Sequence, residues 1–444
     1  MENGVLAPAG LAAAPRPPRR ASGFTLVELL VTLAIFVVVV LAMLALFDVN
    51  SRLARIESRV TDMQQSLRVA QYDMVRSVRM AARGGMPAML PAAGAYAGKL
   101  LPAGLAVEVA DNVPANTKIG GSSAALVLAG TDVVTVRGVF STLYQSNPVP
   151  AGNFTLVDAN NDGIPEKGTL ILYNTSPTGV PQDLTALADA VDATQNGQPE
   201  AILLVSPLDD ATFAVVELDP ASTYAKTAGV VVQVTLAFNV SGTPRSPQYL
   251  ALSPNGNYPP AMSTVAYAGL LEEYKYYVRE VHAVAGDPTS DLMPRLSRAR
   301  VYPGTNAAYK GDTNNLIVDV ADNILDLQAS LGIDTNGDGV IAEGTDAASR
   351  KQDPPVDEWL FNQAGDSTAA ATWNGTPTTP PRLYFLRITT IARTERRDPN
   401  YQGPPLGVIE DKDYSDAAYA GYNARTERMY RHQSLQTLVD LRNL

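Results

Sequence analysis

The sequence predicts an α+β protein: one long N-terminal helix, apolar and then amphipathic, packed on a large, mainly antiparallel β head with long loops. Three observations carry this reading. Nineteen residues from Leu29 to Phe47 pass without a charge. Beyond them, apolar residues keep helical spacing as far as Met74, and the rest of the chain alternates short β-branched runs with Gly, Pro and Asn.

Residues 1–23 are rich in Pro and Ala and close with Arg16, Arg19, Arg20 and then Ala21-Ser22-Gly23, the chemistry of a basic leader rather than of a fold. At about 1.5 Å per residue, the uncharged run that follows spans roughly the 30 Å of a bilayer core, so one membrane crossing is expected. Arginines precede the run and Asp48 follows it, which places the leader on the cytoplasmic side and the rest across the membrane.

Past the crossing, Leu53, Ile56, Val60, Met63, Leu67, Ala70 and Met74 recur at alternating three- and four-residue steps, the signature of one apolar helix stripe. Charged residues such as Arg55, Arg59, Asp62 and Arg68 fill the other faces. The helix is therefore predicted over 24–83, stopped by Gly84-Gly85 and Pro87.

Residues 84–444 form the head, a length that allows two subdomains. Strands are predicted from the runs Ala125 to Val139, Thr169 to Tyr173, Ala201 to Val205, Phe213 to Leu218, Gly229 to Val240 and Leu383 to Ala392. The middle, Ser141 to Thr313, otherwise shows no assignable pattern, and there is no internal repeat.

Composition narrows the function classes. Net charge is −11, and three arginines against one glutamate in the leader leave −13 for the rest, so nucleic acid is not an expected partner. Without cysteine there are no disulfides, thiolate metal sites or cysteine nucleophiles. His282 and His432 stand near no nucleophile motif, and no enzymatic role is expected.

The informative polar residue is Glu28, an ionisable side chain one turn inside an otherwise apolar helix, where a carboxylate needs a partner. Gly23 immediately before Phe24, with Glu28 as fifth residue after the break, resembles the type IV pilin family. The resemblance implies cleavage after Gly23 by a prepilin peptidase, N-methylation of Phe24, and pairing of Glu28 with the terminal amine of a neighbouring subunit. It also implies major and minor pilins as partners through the helix. The localisation it implies is a single-pass inner-membrane protein with its N-terminus cytoplasmic and its head periplasmic, later part of an extracellular pilus.

Within that family, three ordered segments are similar to the PilW-like minor pilins: Gly130-Thr131-Asp132-Val133-Val134-Thr135-Val136-Arg137 in the first predicted strand, Ile324-Leu325-Asp326-Leu327-Gln328 leading to Gly332-Ile333-Asp334-Thr335-Asn336-Gly337-Asp338-Gly339, and Leu441-Arg442-Asn443-Leu444. The implied role is pilus assembly, in an initiation or tip complex. Two alternatives share the N-terminal logic: a J-type minor pseudopilin of type II secretion, and a pilus-tip adhesin whose head takes a surface ligand.

Two Asp/Asn-rich loops are candidate calcium sites, although no cofactor is required. Asp334, Asn336 and Asp338 with Gly339 reproduce the first positions of a calcium loop, and Val340 adds a carbonyl. Asp158, Asn160, Asp162, the Ile164 carbonyl and Glu166 repeat the spacing. Thr345 and Thr169 stand where the closing glutamate belongs, and a metal-free Asx turn accounts for the same residues. Arg387, Arg393, Arg396, Arg397, Arg425, Arg428 and Arg431 are interspersed with acids and read as an ion-paired surface; Tyr274, Tyr276 and Tyr277 read as strand packing.

Overall fold

A computed structural model describes residues 25–81, 106–122, 125–146, 153–158, 161, 167–198, 200–206, 213–239, 264–284, 287–303, 309, 317–344, 349–352, 355–366 and 382–441. It has an α+β fold with one long N-terminal helix and an antiparallel β head. The chain divides into two compact units, Met1–Ser58 and Arg59–Leu444.

In the first unit, helix α1 (Leu26–Met80) begins, and nearly every apolar side chain from Leu26 to Phe47 is exposed. The helix is long and apolar enough to cross a membrane. An uncovered apolar surface of that extent has no stable place in water. Arg52 and Asp48, one turn apart, form an ion pair at 3.0 Å where charge resumes.

From Arg59 onward α1 belongs to the second unit, and its stripe turns inward. Met63, Leu67, Ala70, Met74 and Val78 are buried, in steps of three and four residues. Two polar residues on that face have partners. The Gln71 amide donates to the carbonyls of Ile388 and Leu435 and to the Thr390 hydroxyl, and the Ser77 and Tyr276 hydroxyls lie 2.7 Å apart. The expected stop at Gly84-Gly85 and Pro87 lies outside the described residues.

The head then runs in chain order through β1 (Val107–Ala110), β2 (Val133–Gly138), β3 (Leu143–Gln145), β4 (Phe154–Val157) and β5 (Lys167–Tyr173) to a short helix α2 (Thr185–Gln195). Next come β6 (Ala201–Val205), β7 (Phe213–Leu218), β8 (Thr223–Thr227), β9 (Val230–Asn239), β10 (Tyr267–Leu270), β11 (Glu272–His282) and β12 (Leu292–Val301). The final group is β13 (Ile317–Asp322), β14 (Ile324–Asp334), β15 (Trp359–Leu360), β16 (Arg382–Arg393), the small hairpin β17 (Val408–Ile409) and β18 (Lys412–Asp413), and β19 (His432–Asp440).

These strands make three larger sheets, all antiparallel: β1-β2-β11-β12-β13, then β3-β10-β6-β7-β9-β5-β4 with β8 on β9, and β15-β14-β16-β19. The main core joins α1 to all three, for example Met74 and Val78 with Val136, Tyr276, Leu327, Ile388 and Leu203. A second core lies between α2 and the eight-stranded sheet, with Leu187 and Val191 against Leu170, Leu204 and Phe238. Strand β6 serves both: Leu203 and Val205 face the first, Ile202 and Leu204 the second. That explains its unbroken apolar sequence, since a strand covered on two faces has no polar side.

The predicted run Ala125 to Val139 yields a strand only over Val133–Gly138 and, because of β1, it is the second in the chain. Gly130 takes φ +75°, a left-handed conformation that ends the run before it, and a Cβ there would meet the Tyr419 ring at 2.5 Å.

Candidate functional site

At the head of α1, Thr25 and Glu28 form a capping box. The Thr25 N–H and hydroxyl donate to Glu28 Oε2 at 2.9 and 3.0 Å, and the Glu28 N–H donates to Thr25 Oγ1 at 3.3 Å. The Thr-x-x-Glu spacing of Thr25 and Glu28 is the sequence signal for this cap, a role beside the charge pairing that the resemblance implies. The carboxylate is thus held at the helix N-terminus, where the helix dipole favours negative charge. Gly23 and Phe24 lie outside the described residues, as does the leader 1–23.

In the first Asp/Asn-rich loop, the Asp334 carboxylate accepts from the N–H groups of Gly337 and Gly339 at 2.6 and 2.9 Å. Asn336 Oδ1 accepts from the Asp338 N–H, and Asp338 Oδ1 from the Val340 N–H. The side chains therefore close successive Asx turns, with Gly337 and Gly339 at positive φ. Val340 is exposed and Asp334 buried. Glu358 borders the loop and accepts from the Thr335 N–H; burial raises its pKa above the usual carboxylate value. Among the described residues no group of three or more His, Cys, Asp or Glu is placed to hold a metal. In the second loop Asp158 is described, whereas Asn160, Asp162, Ile164 and Glu166 lie outside the described residues, as does Thr345 in the first.

The segments Gly130 to Arg137 and Ile324 to Gln328, far apart in sequence, meet in one buried polar node. Asp132 accepts from the N–H groups of Asn112 and Ala329 at 2.8 and 2.7 Å, tying the five-stranded sheet to the four-stranded one. Asp326 accepts from Lys412 Nζ and the Tyr414 hydroxyl, both at 2.5 Å, and Lys412 also donates to the Gly130 carbonyl. Gln328 donates to the same carbonyl at 3.3 Å. Lys412 is surrounded by the rings of Tyr414, Tyr419 and Tyr422, its Nζ 4.6 to 4.9 Å from each centroid.

Beside this node lie three acids. Burial raises Asp132 well above the usual carboxylate range, with the Asp111 charge adding to it. Burial likewise raises Asp111, and pushes Asp411 up to about 8 with help from the Asp111 charge. Sequence gave no signal for Lys412, Tyr414 or Asp411, because only the tertiary fold brings the β17–β18 hairpin to the two sheets.

The arginine-rich region is ion-paired: Arg387 with Glu410 and Glu343, Arg393 with Glu427, and Arg431 with Asp398. Tyr276 and Tyr277 are buried on β11. Arg442, Asn443 and Leu444 lie outside the described residues, while Leu441 is buried in the main core.

A long helix with an apolar stretch that can cross a membrane carries a capped carboxylate at its start and is followed by an antiparallel head. Residues 18–44 match the family model described as the prokaryotic N-terminal methylation motif. That match supports a type IV pilin-like prepilin of the pilin or pseudopilin class, with processing by prepilin peptidase and association with other pilins in general. The apolar helix at the motif is consistent with a single-pass inner-membrane anchor. No curated protein and no solved structure matches the chain.

Proposed function

We propose that the chain is a PilW-like minor pilin that takes part in type IV pilus assembly, in an initiation or tip complex, and not an enzyme. The observation that carries this is Glu28, fixed at the first turn of an apolar helix inside the methylation motif. Cleavage after Gly23 would leave the Phe24 amine four residues from that carboxylate. In hydrocarbon an unpaired charge of either sign is costly, so a neighbour's amine is the complementary partner. The size of the head, built from three larger sheets, supports a subunit used in few copies rather than the repeated filament unit.

The test is deletion of the gene with restoration by the wild-type copy. The expected result is loss of piliation and recovery of the protein in a complex with other minor pilins. Normal piliation, together with co-purification with secretion pseudopilins, would replace this reading by the J-type pseudopilin of type II secretion. Normal assembly with lost surface attachment would replace it by the tip adhesin.

A further inference from the structure

Strand β19 pairs with β16 on one side, and no described strand lies beyond it on the other. Two flanking bonds fix the parity of its backbone groups. The Thr394 N–H donates to the Arg431 carbonyl and the Leu441 N–H to the Tyr384 carbonyl, so the odd-numbered residues of β19 bond to β16. The even-numbered residues turn their N–H and C=O groups away from the sheet. For His432, Ser434, Gln436 and Leu438 these groups have no backbone partner among the described residues.

A row of this kind is a template for a further strand, and proteins ordinarily blunt it. The other edges of the three larger sheets are blunted: β1, β3, β4 and β15 have four residues or fewer, and β8 and β13 pair with their neighbours through a register shift. Strand β19 has nine residues, a span of roughly 30 Å. It carries no Pro and no Lys, and its pairing with β16 is unshifted. Leu438 stands exposed on its outer side.

Donors and acceptors in this row select an extended polypeptide backbone as the occupant. Position selects whose backbone it is. The Gln71 amide on α1 donates to the Ile388 carbonyl on β16 and to the Leu435 carbonyl on β19, so this part of α1 lies over the seam between the two strands. The methylation motif on the same helix supports association with other pilins in general. A surface continuous with that helix is therefore a surface for such a subunit, and a chain used in few copies meets a different subunit rather than itself.

We propose that β19 is an assembly edge, which takes an edge strand from the head of a different pilin-like subunit so that one sheet runs through both heads. The inference rests on the assembly reading and adds to it the surface by which the heads join. Its test uses the full chain in detergent, alone and co-purified with the other pilin-like subunits of its own organism, with hydrogen exchange read at single amides.

In the chain alone, the Ser434, Gln436 and Leu438 amides are expected to exchange at least about tenfold faster than those of Gln433, Leu435 and Thr437, and in the complex both sets are expected to be slow. Ser434→Pro removes an outward N–H that β16 does not use, a position where edge strands accept proline. Its expected effect is a loss of about tenfold or more in the recovered partner subunit. Should Ser434→Pro lose its near-ultraviolet circular dichroism, Leu438→Lys replaces it, placing a charge on an exposed side chain of the same edge.

Outward amides already slow in the chain alone, outward amides still fast in the complex, or full recovery of the partner by a folded variant would each overturn the proposal and leave the assembly reading standing. A wild-type chain that recovers no pilin-like subunit would overturn the assembly reading and this inference with it. A dimer of the chain alone in which the same amides become slow would give the edge to a second copy, and so overturn the choice of partner.

Discussion

The ammonium of Lys412 and the carboxylate of Asp326 meet at 2.5 Å with both side chains wholly buried. Each is further bonded, Lys412 to the Gly130 carbonyl and Asp326 to the Tyr414 hydroxyl. The pair therefore fastens the β17–β18 hairpin to β14 and to the turn before β2. Removing one partner of such a pair leaves a buried charge alone, which costs about 3–5 kcal/mol. Lys412→Met is expected to lower head stability by that order in urea denaturation, and adding Asp326→Asn should recover part of the loss.

The raised carboxyl at Asp411 makes stability depend on pH. A carboxyl whose folded pKa lies above its unfolded value binds its proton more tightly when folded. Its stabilising contribution is complete below about pH 4, where the unfolded group titrates, and is lost as pH rises through about 8. Asp132 and Asp111 shift in the same direction. Denaturation midpoints measured from pH 4 to 9 should therefore show this part of the head weakening toward the alkaline end, and Asp411→Asn should flatten the slope.

Glu28 has two separable roles, capping and charge. Glutamine at the third position of a capping box can still return a hydrogen bond, whereas valine cannot. Glu28→Gln and Glu28→Val should both insert and be cleaved, and both should fail to co-purify with other pilins. If Glu28→Gln assembles like wild type, charge pairing is not the basis of assembly. Thr25→Ala removes the other half of the box and should cost about 1 kcal/mol of local helix stability, seen as faster amide exchange at the helix start.

Leu67 is buried where α1 joins the main core. Leu67→Ala should cost about 2–5 kcal/mol, read from the thermal midpoint of the head. The exposed Leu46 should leave that midpoint unchanged when made alanine.

The Asp334 carboxylate accepts from two N–H groups of its own loop, and on that ground we propose that the loop folds without an ion. Treatment with EDTA should leave the thermal midpoint unmoved, and calcium titration should give no heat from this loop. A rise in the midpoint with millimolar calcium would reverse that reading.

Legibility in the sequence follows the range of the interactions. The helix could be read because its apolar run and its Met63-Leu67-Ala70-Met74 stripe are local patterns. Strands β5, β6, β7, β9 and β16 could be read from β-branched runs. Strands β11 and β12 were hidden because they pair through charged and aromatic residues, with Tyr274 opposite Arg300 and Tyr276 opposite Arg298, which blur the alternation. Helix α2 was missed because its eleven residues lack a side-chain N-cap. In the node, Asp132 and Asp326 lie in segments that stand out in the sequence, whereas Lys412, Tyr414 and Tyr422 belong to it only through contacts over long separations.

One such contact sets a schedule. Gln71 on α1 donates to the carbonyl of Leu435, 364 residues further along. Its other acceptors, Ile388 and Thr390, lie on β16, whose free edge β19 fills. The helix is made early, but the surface that receives its buried face is unfinished until residues 432–441 have been synthesised. During that interval the α1 face that carries Gln71 lacks this part of its cover, so the half-made chain is where a holding partner, or a protease, has its opportunity.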